Sequence, residues 1–180
     1  MTIINSIREV ISLPGQGLAN ASQPVLGFNY GAKQYQRVLQ GMKFVTIASL
    51  VTSLLLWGCV TSLPELFIRI FSHNQDIISH GVVSIRLYFF GFFMMSFKLT
   101  GQAIAVGLGK SKQAVFFSIF RKVIIVAPLT IILPRFIGIN GVFIAEAISN
   151  FIGGGACYIT MLLTIGKELM KKSKEVDLIK

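Results

Sequence analysis

The sequence predicts an all-helical, polytopic membrane bundle, and three observations carry that expectation. Apolar residues make up 53% of the chain, whereas Asp, Glu, Lys and Arg together make up 13%, a balance outside the soluble globular range. Long uncharged runs alternate with short basic loops, as in helices that cross a hydrocarbon core of roughly 30 Å. The net charge of +10 does not point to nucleic acid: a phosphate backbone is bound by a basic face on a soluble surface, and here the basic residues punctuate apolar runs. Cys59 and Cys157 lie far apart in apolar runs, so neither a disulfide framework nor a metal site is expected. No charged segment leading into a short apolar core with a cleavage site is visible near Met1, so no secretory signal is expected.

About five transmembrane helices are expected, at 11–32, 44–63, 81–109, 114–133 and 141–165, followed by a solvated basic tail at 167–180. The first is rich in small residues. Gly15/Ala19 and Gly17/Ala21 form small-xxx-small pairs suited to close helix packing, and Pro14 predicts a bend. Gln16, Asn20, Ser22 and Gln23 turn a polar face toward a bundle interior or a wet cavity. Interhelical hydrogen bonding and substrate contact both fit that face. Residues 33–43, with Tyr35, Val38, Leu39 and Met42 at helical spacing, predict a short interfacial helix. The second span places Trp57 near its far interface and ends at Pro64 and Glu65.

The loop that follows contains His73, Asp76 and His80, which read either as a metal site or, more simply, as a solvated loop. The third span carries Arg86 and Lys98. Lys98 precedes Lys110 by about 18 Å of helix, too deep for easy snorkelling, whereas Arg86 is close enough to the outer end to reach headgroups. Between them Tyr88, Phe89, Phe90, Phe92, Phe93, Met94, Met95 and Phe97 form an aromatic and thioether cluster, suited to a pocket for apolar or cationic ligands and equally to core packing. The fourth span holds Arg121 and Lys122, a kink at Pro128 and an exit at Pro134. Glu146 and Asn150 lie in the fifth, ahead of a smooth face at Gly153 to Ala156. Lys33, Arg37, Lys43, Lys110, Lys112 and the terminal lysines collect on one side, against Arg69 and Arg135 on the other. That asymmetry places the C-terminus in the cytoplasm.

The stretch Gln23-Pro24-Val25-Leu26-Gly27-Phe28-Asn29-Tyr30-Gly31-Ala32 resembles the signature that closes the second helix of the C-terminal half in the multidrug and toxic compound extrusion family. Gln102-Ala103, Gly107-x-Gly109-Lys110, Arg121, Pro128-Leu129 and Gly138-x-x-Gly141-Val142 follow in the family's order, so the resemblance covers nearly the whole chain. It implies five helices of a six-helix transporter lobe in a bacterial cytoplasmic membrane. It also implies export of drugs or organic cations in exchange for Na⁺ or H⁺, with that coupling cation the sole cofactor. The N-terminal lobe and one helix are then missing, through truncation, a split gene or an internal start at Met1, and one lobe alone is not expected to transport.

Polar and ionisable groups inside spans mark substrate and ion pathways, which makes Gln16, Asn20, Gln23, Arg86, Met94, Lys98, Gln102, Glu146 and Asn150 the candidates here. The family often carries its coupling ion on a carboxylate of the N-terminal half, and some members add acids in the C-terminal half. The third span of this chain offers Arg86 and Lys98 instead, which leaves Glu146 as the main intramembrane carboxylate, a coupling residue or a structural partner of a nearby cation. Membrane lipid, the missing lobe and cationic small molecules are the expected partners. Two other functions fit the same residues: a lipid-linked precursor flippase with Arg86, Lys98 and Arg121 in a cationic cavity, or a non-transporting membrane fragment. With no phosphate-binding loop and no nucleophile-base pairing, an enzyme is not expected.

Overall fold

The computed structural model describes residues 2–71, 74–110, 112, 115, 119, 123, 127–137 and 140–177. Within them the chain is helix and turn, with no strand. The elements are α1 (Thr2–Gly31), α2 (Tyr35–Ser62), α3 (Pro64–Arg69), α4 (Gln75–Phe89), a 3₁₀ turn (Phe92–Met94), α5 (Met95–Gly107), α6 (Ala127–Ile137), α7 (Asn140–Met161), a π-helical turn (Leu162–Gly166) and α8 (Lys167–Asp177). Helix α5 is the central element: α1 and α2 pack on it and on each other, and α7 packs on it as well. In turn α4 and α6 pack on α7, and α8 returns to α2.

Two apolar cores result. One gathers Ile7, Ile11, Val60, Ile68, Ile85, Phe89 and Phe92. The other, at the basic end, gathers Leu26, Val38, Met42, Ile104, Leu108, Met161, Ile165 and Leu169. Three helical stretches among the described residues are long and apolar enough to cross a membrane: Tyr35–Ser62, Gly81–Gly107 and Ala147–Val176. Helix α1 has the length, at 30 residues, but its Gln, Asn and Ser residues dilute its apolarity, and its place against α2 and α5 gives it protein rather than lipid on that side.

Several expected boundaries differ from those observed. Residues 35–43 are not a separate interfacial helix but the first turns of α2, because Val38, Met42, Val45, Ser49 and Ser53 form one buried stripe that runs through them into the rest of the helix. Pro134 does not end the fourth span; it lies within α6, which continues to Ile137. Pro14 and Pro24 both lie inside α1, where each removes one intrahelical donor. Residues 167–177, expected as a solvated tail, form α8. The third span is interrupted, α4 stopping at Phe89 and the 3₁₀ turn intervening before α5.

The interruption is held by glycines on both sides of the contact with α7. A Cβ on Gly91 would fall 2.6 Å from the Phe151 ring and 3.2 Å from the Ala147 carbonyl oxygen, and one on Gly154 would fall 2.5 Å from the Met94 carbonyl oxygen. Tyr88, Phe89 and Phe92 of the aromatic cluster are buried core residues. Phe93, half-buried, meets Trp57 edge-on at 5.6 Å and Phe151 at 5.8 Å. In lipid, helices gain little by hiding apolar surface from one another, so association depends on this kind of close packing. Gly154→Ala should therefore lower stability in detergent by about 1–3 kcal/mol, whereas Gly155→Ala, with nothing within 4 Å of the added carbon, should not. Equal thermal midpoints for the two variants would show that the contact is not tight.

Candidate functional site

The signature residues Gln23 to Gly31 occupy the last turns of α1, at the basic end, and Ala32 follows directly. Gly27 is there because backbone meets backbone: its Cβ would lie 2.7 Å from the Gly107 carbonyl oxygen, and a Cβ on Gly107 would lie 2.9 Å from the Gln23 carbonyl oxygen. The two stretches that carry the resemblance are therefore one crossing of α1 over α5. Leu26 is buried beside it in the second core. Asn29 donates its amide to the Val25 carbonyl (2.8 Å).

Both helices end in the same turn. After α1, Lys33 adopts a left-handed φ of 57°, its N–H donating to the Tyr30 carbonyl (3.0 Å) and that of Gln34 to the Asn29 carbonyl (2.9 Å). After α5, Gly109 has φ 74°, its N–H donating to the Val106 carbonyl (2.9 Å) and that of Lys110 to the Ala105 carbonyl (2.8 Å). Each pair is a Schellman closure that satisfies the last carbonyls of its helix. Between these turns α8 is clamped. Glu168 accepts from Lys110 and from Lys172 (2.8 Å). Lys172 also donates to the Tyr30 hydroxyl (3.1 Å) and lies 5.3 Å and 5.9 Å from the Tyr30 and Tyr35 ring centres. Leu169 is buried in the second core beneath the clamp.

The expected pathway residues are distributed over several elements. Gln16, Asn20 and Gln23 share α1: Gln16 donates to the Ser12 hydroxyl (2.8 Å), and Gln23 donates to the Asn20 side-chain carbonyl (3.1 Å). Gly15 and Ala19 are buried, whereas Gly17, Asn20 and Ala21 are exposed, so one of the two small-residue pairs packs inside this chain. Met94 lies in the 3₁₀ turn against Gly154. Lys98 and Gln102 are half-buried on α5, and Asn150 is buried on α7. Arg86 is exposed on α4 and lines a cleft of about 360 Å³ with Glu65 and Arg69, apart from α1. The side chains of Asp76, His80 and Glu146, and all of His73, Arg121 and Lys122, lie outside the described residues.

Comparison with known proteins decides the family. The family model MatE matches residues 1–132. The chain belongs to the MatE family. No match was found among curated protein sequences. Solved structures resemble the fold closely. A multidrug resistance MATE family transporter of the MOP superfamily in an inward-facing conformation has a TM-score of 0.85 at 18% identity, covering 93% of this chain and 39% of that one. An outward-facing conformation of such a transporter scores 0.86 at 17% identity, covering 94% and 38%. The MATE multidrug transporter DinF-BH scores 0.81 at 28% identity, covering 88% and 35%. The chain thus spans under two fifths of the length of each, and this MatE chain is a multi-pass membrane protein.

Sequence reasoning missed the clamp residues Tyr35, Glu168 and Lys172. A signal was present: Met161, Ile165 and Leu169 continue one apolar stripe at i, i+4 past the expected end of the span, and Glu168 and Lys172 form an i, i+4 ion pair. Beyond the apolar run, hydrogen bonds from Lys110 and then Lys172 hold the Glu168 carboxyl below its ordinary range. The bonds to Glu168 and then Tyr30 raise Lys172 above the ordinary lysine range. A carboxyl lowered on folding stabilises above its unfolded pKa and loses that contribution as pH falls through the folded value. A raised lysine stabilises below its unfolded pKa and loses it as pH rises through the folded one. The clamp is therefore complete from about pH 5 to about pH 10. Amide exchange across 167–177 should be slow and show no extra opening in that window. Glu168→Gln should speed it about two- to fivefold, the scale of a half-exposed ion pair; unchanged exchange would show that α8 is held by Leu169 alone.

Proposed function

We propose that the chain is the C-terminal lobe of a MATE-type transporter that exports drugs or organic cations in exchange for Na⁺ or H⁺, working against an N-terminal lobe. The observation that carries this reading is a stripe along α1. Gly17, Asn20, Pro24 and Phe28 follow one another at i, i+3, i+7 and i+11, and all are exposed. No side chain of the described residues covers Gly17. An asparagine on a membrane helix is not turned to lipid without cost, so this stripe suits a water-lined boundary with a second lobe. The relatives support the same division. Inward-facing and outward-facing transporters resemble the lobe equally, which fits a body that moves whole while access alternates at its edge.

In this reading the basic end faces the cytoplasm, the membrane is the bacterial cytoplasmic membrane, and Asn20 and Gln16 meet the substrate. Glu146 carries the exchanged proton. The test is efflux of a fluorescent organic cation from cells that express this chain alone, the complementary N-terminal lobe alone, or both. Both together should export the dye and either alone should not; export by this chain alone would overturn the division of labour. Asn20→Leu in the complete protein should lower efflux by about tenfold, the scale of one lost polar contact in a site built to make it. Glu146→Gln should abolish drug-dependent proton release, and release at the normal rate would remove Glu146 from the mechanism.

A further inference from the structure

We infer that a small void where α1, α2 and α5 meet is a binding site for a water molecule in the interior of the lobe. The void lies between Ser12 and Gly15 of α1, Ser53 of α2 and Ser96 at the start of α5, with Phe92 and Leu99 also lining it. It leaves about 10 Å³ over which the centre of a water molecule can range, which is room for a single molecule. Hydroxyls from three helices converge on it, and Ser12, Ser53 and Ser96 are 5%, 9% and 3% exposed. Three polar partners are what an internal water ordinarily takes, whereas voids that stay dry are lined by apolar groups.

The hydrogen bonds already present suit such a guest. Ser12 donates to the Glu9 carbonyl (2.9 Å) and Ser96 to the Phe93 carbonyl (2.7 Å), so both oxygens can still accept, and water has two protons to give. The Ser53 hydroxyl supplies a donor in return. Among the described residues, no hydrogen bond joins any of these three serines to another helix. The next level toward the basic end points the same way. Helices α2 and α5 run antiparallel, since Met42 lies with Ile104 and Leu108 while Ser53 lies with Ser96. Ser49 and Thr100, one turn on from Ser53 and Ser96, therefore share a level, and both are buried hydroxyls without a partner among the described residues. The seam between α2 and α5 is thus rich in hydroxyls that do not satisfy one another, a costly state inside a span, and a water in the void joins three helices where side chains alone do not. No described residue lining the void is a carboxylate, so a neutral molecule suits it better than a cation, whose charge would stand uncompensated.

The site also reaches the proposed pathway. Because the Ser12 proton is committed to Glu9, Ser12 can only accept from Gln16, whose amide nitrogen lies 2.8 Å away. The Gln16 carbonyl oxygen is then the end left to meet a cationic substrate. That consequence rests on the transport reading; the water site does not.

Radiolytic footprinting, in which X-rays split a bound water into hydroxyl radicals that oxidise the nearest side chains, tests the site on the 180-residue chain in detergent. Phe89 and Phe92 are buried in the same core, but of the two only Phe92 lines the void, and it should be oxidised severalfold faster than Phe89. Gly15→Ala tests the site by displacement: the added carbon meets only Leu99 Cδ1, at 4.0 Å, so it enters the void without a clash. Alanine for glycine inside a helix raises the thermal midpoint by about 2–4 °C, and Gly17→Ala, with nothing within 4 Å of the added carbon, should show that rise. Gly15→Ala should not, because it expels the water, and it should bring Phe92 down to the rate of Phe89. Phe92 no more reactive than Phe89 in the unaltered chain, or a rise for Gly15→Ala equal to that for Gly17→Ala, would overturn the site. Neither readout involves transport, so that result would leave the transport reading standing.

Discussion

The approach of α1 to α5 at Gly27 and Gly107 is the constraint on which the basic end of the molecule depends. Their backbones come within the distance that one methyl group would occupy. That closeness brings the two helix ends side by side, so that Lys33 and Gly109 turn the chain in the same left-handed way at the same level. The paired turns then present Tyr30 and Lys110 to α8, and Glu168 and Lys172 close the arrangement. Remove the close crossing, and the second core loses the register between Leu26 and Ile104 as well as the platform for α8.

Polar groups inside the spans are managed by a local device. The hydroxyls of Thr46, Thr52, Thr61, Thr160 and Thr164 each donate to the carbonyl four residues earlier, at 2.7–2.8 Å. Such back-bonding satisfies a hydroxyl without a partner helix, which is how threonine is tolerated where water is absent. Thr46 does more, accepting from the Tyr158 hydroxyl at 3.0 Å and so joining α2 to α7. Two hydroxyls are exceptions: Ser49 and Thr100 are buried with no partner among the described residues, one on α2 and one on α5.

How much of this was legible in the sequence follows from the kind of interaction involved. Hydropathy alone marks the run at 44–63, which lies almost wholly within α2. The signature at Gln23 to Ala32 was legible because it is a string of residue types, but its role was not, since Gly107 lies far along the chain and only folding brings the two together. The break between Phe89 and Met95 has no proline to announce it. It depends on Gly91 lying against Phe151 and Gly154 against Met94 across the contact with α7; the Gly153 to Ala156 face reads as a packing surface, but nothing near Gly91 marks it as the other half of that contact. Residues 167–177 were misread because net polarity outweighed the stripe through Met161, Ile165 and Leu169. The candidate pathway was legible only as a set of polar residues in apolar surroundings; it did not separate Arg86, at the corner near α3, from Gln16 and Asn20 on α1.

The distribution of fixed and open surfaces argues for where motion belongs. At the basic end, α1, α2, α5 and α8 are joined by close backbone contact, two closed helix ends and a charged clamp, so relative movement there breaks several interactions together. Around Phe89 and Phe92 the interior is filled by aromatic rings, and Gly91 and Gly154 leave no room for sliding along α7. Packed interiors of this kind switch as wholes rather than bend. The stripe through Gly17, Asn20, Pro24 and Phe28 has no such ties among the described residues. In the transporter reading proposed above, that stripe on α1 is where such a rigid body would meet a second lobe and move against it.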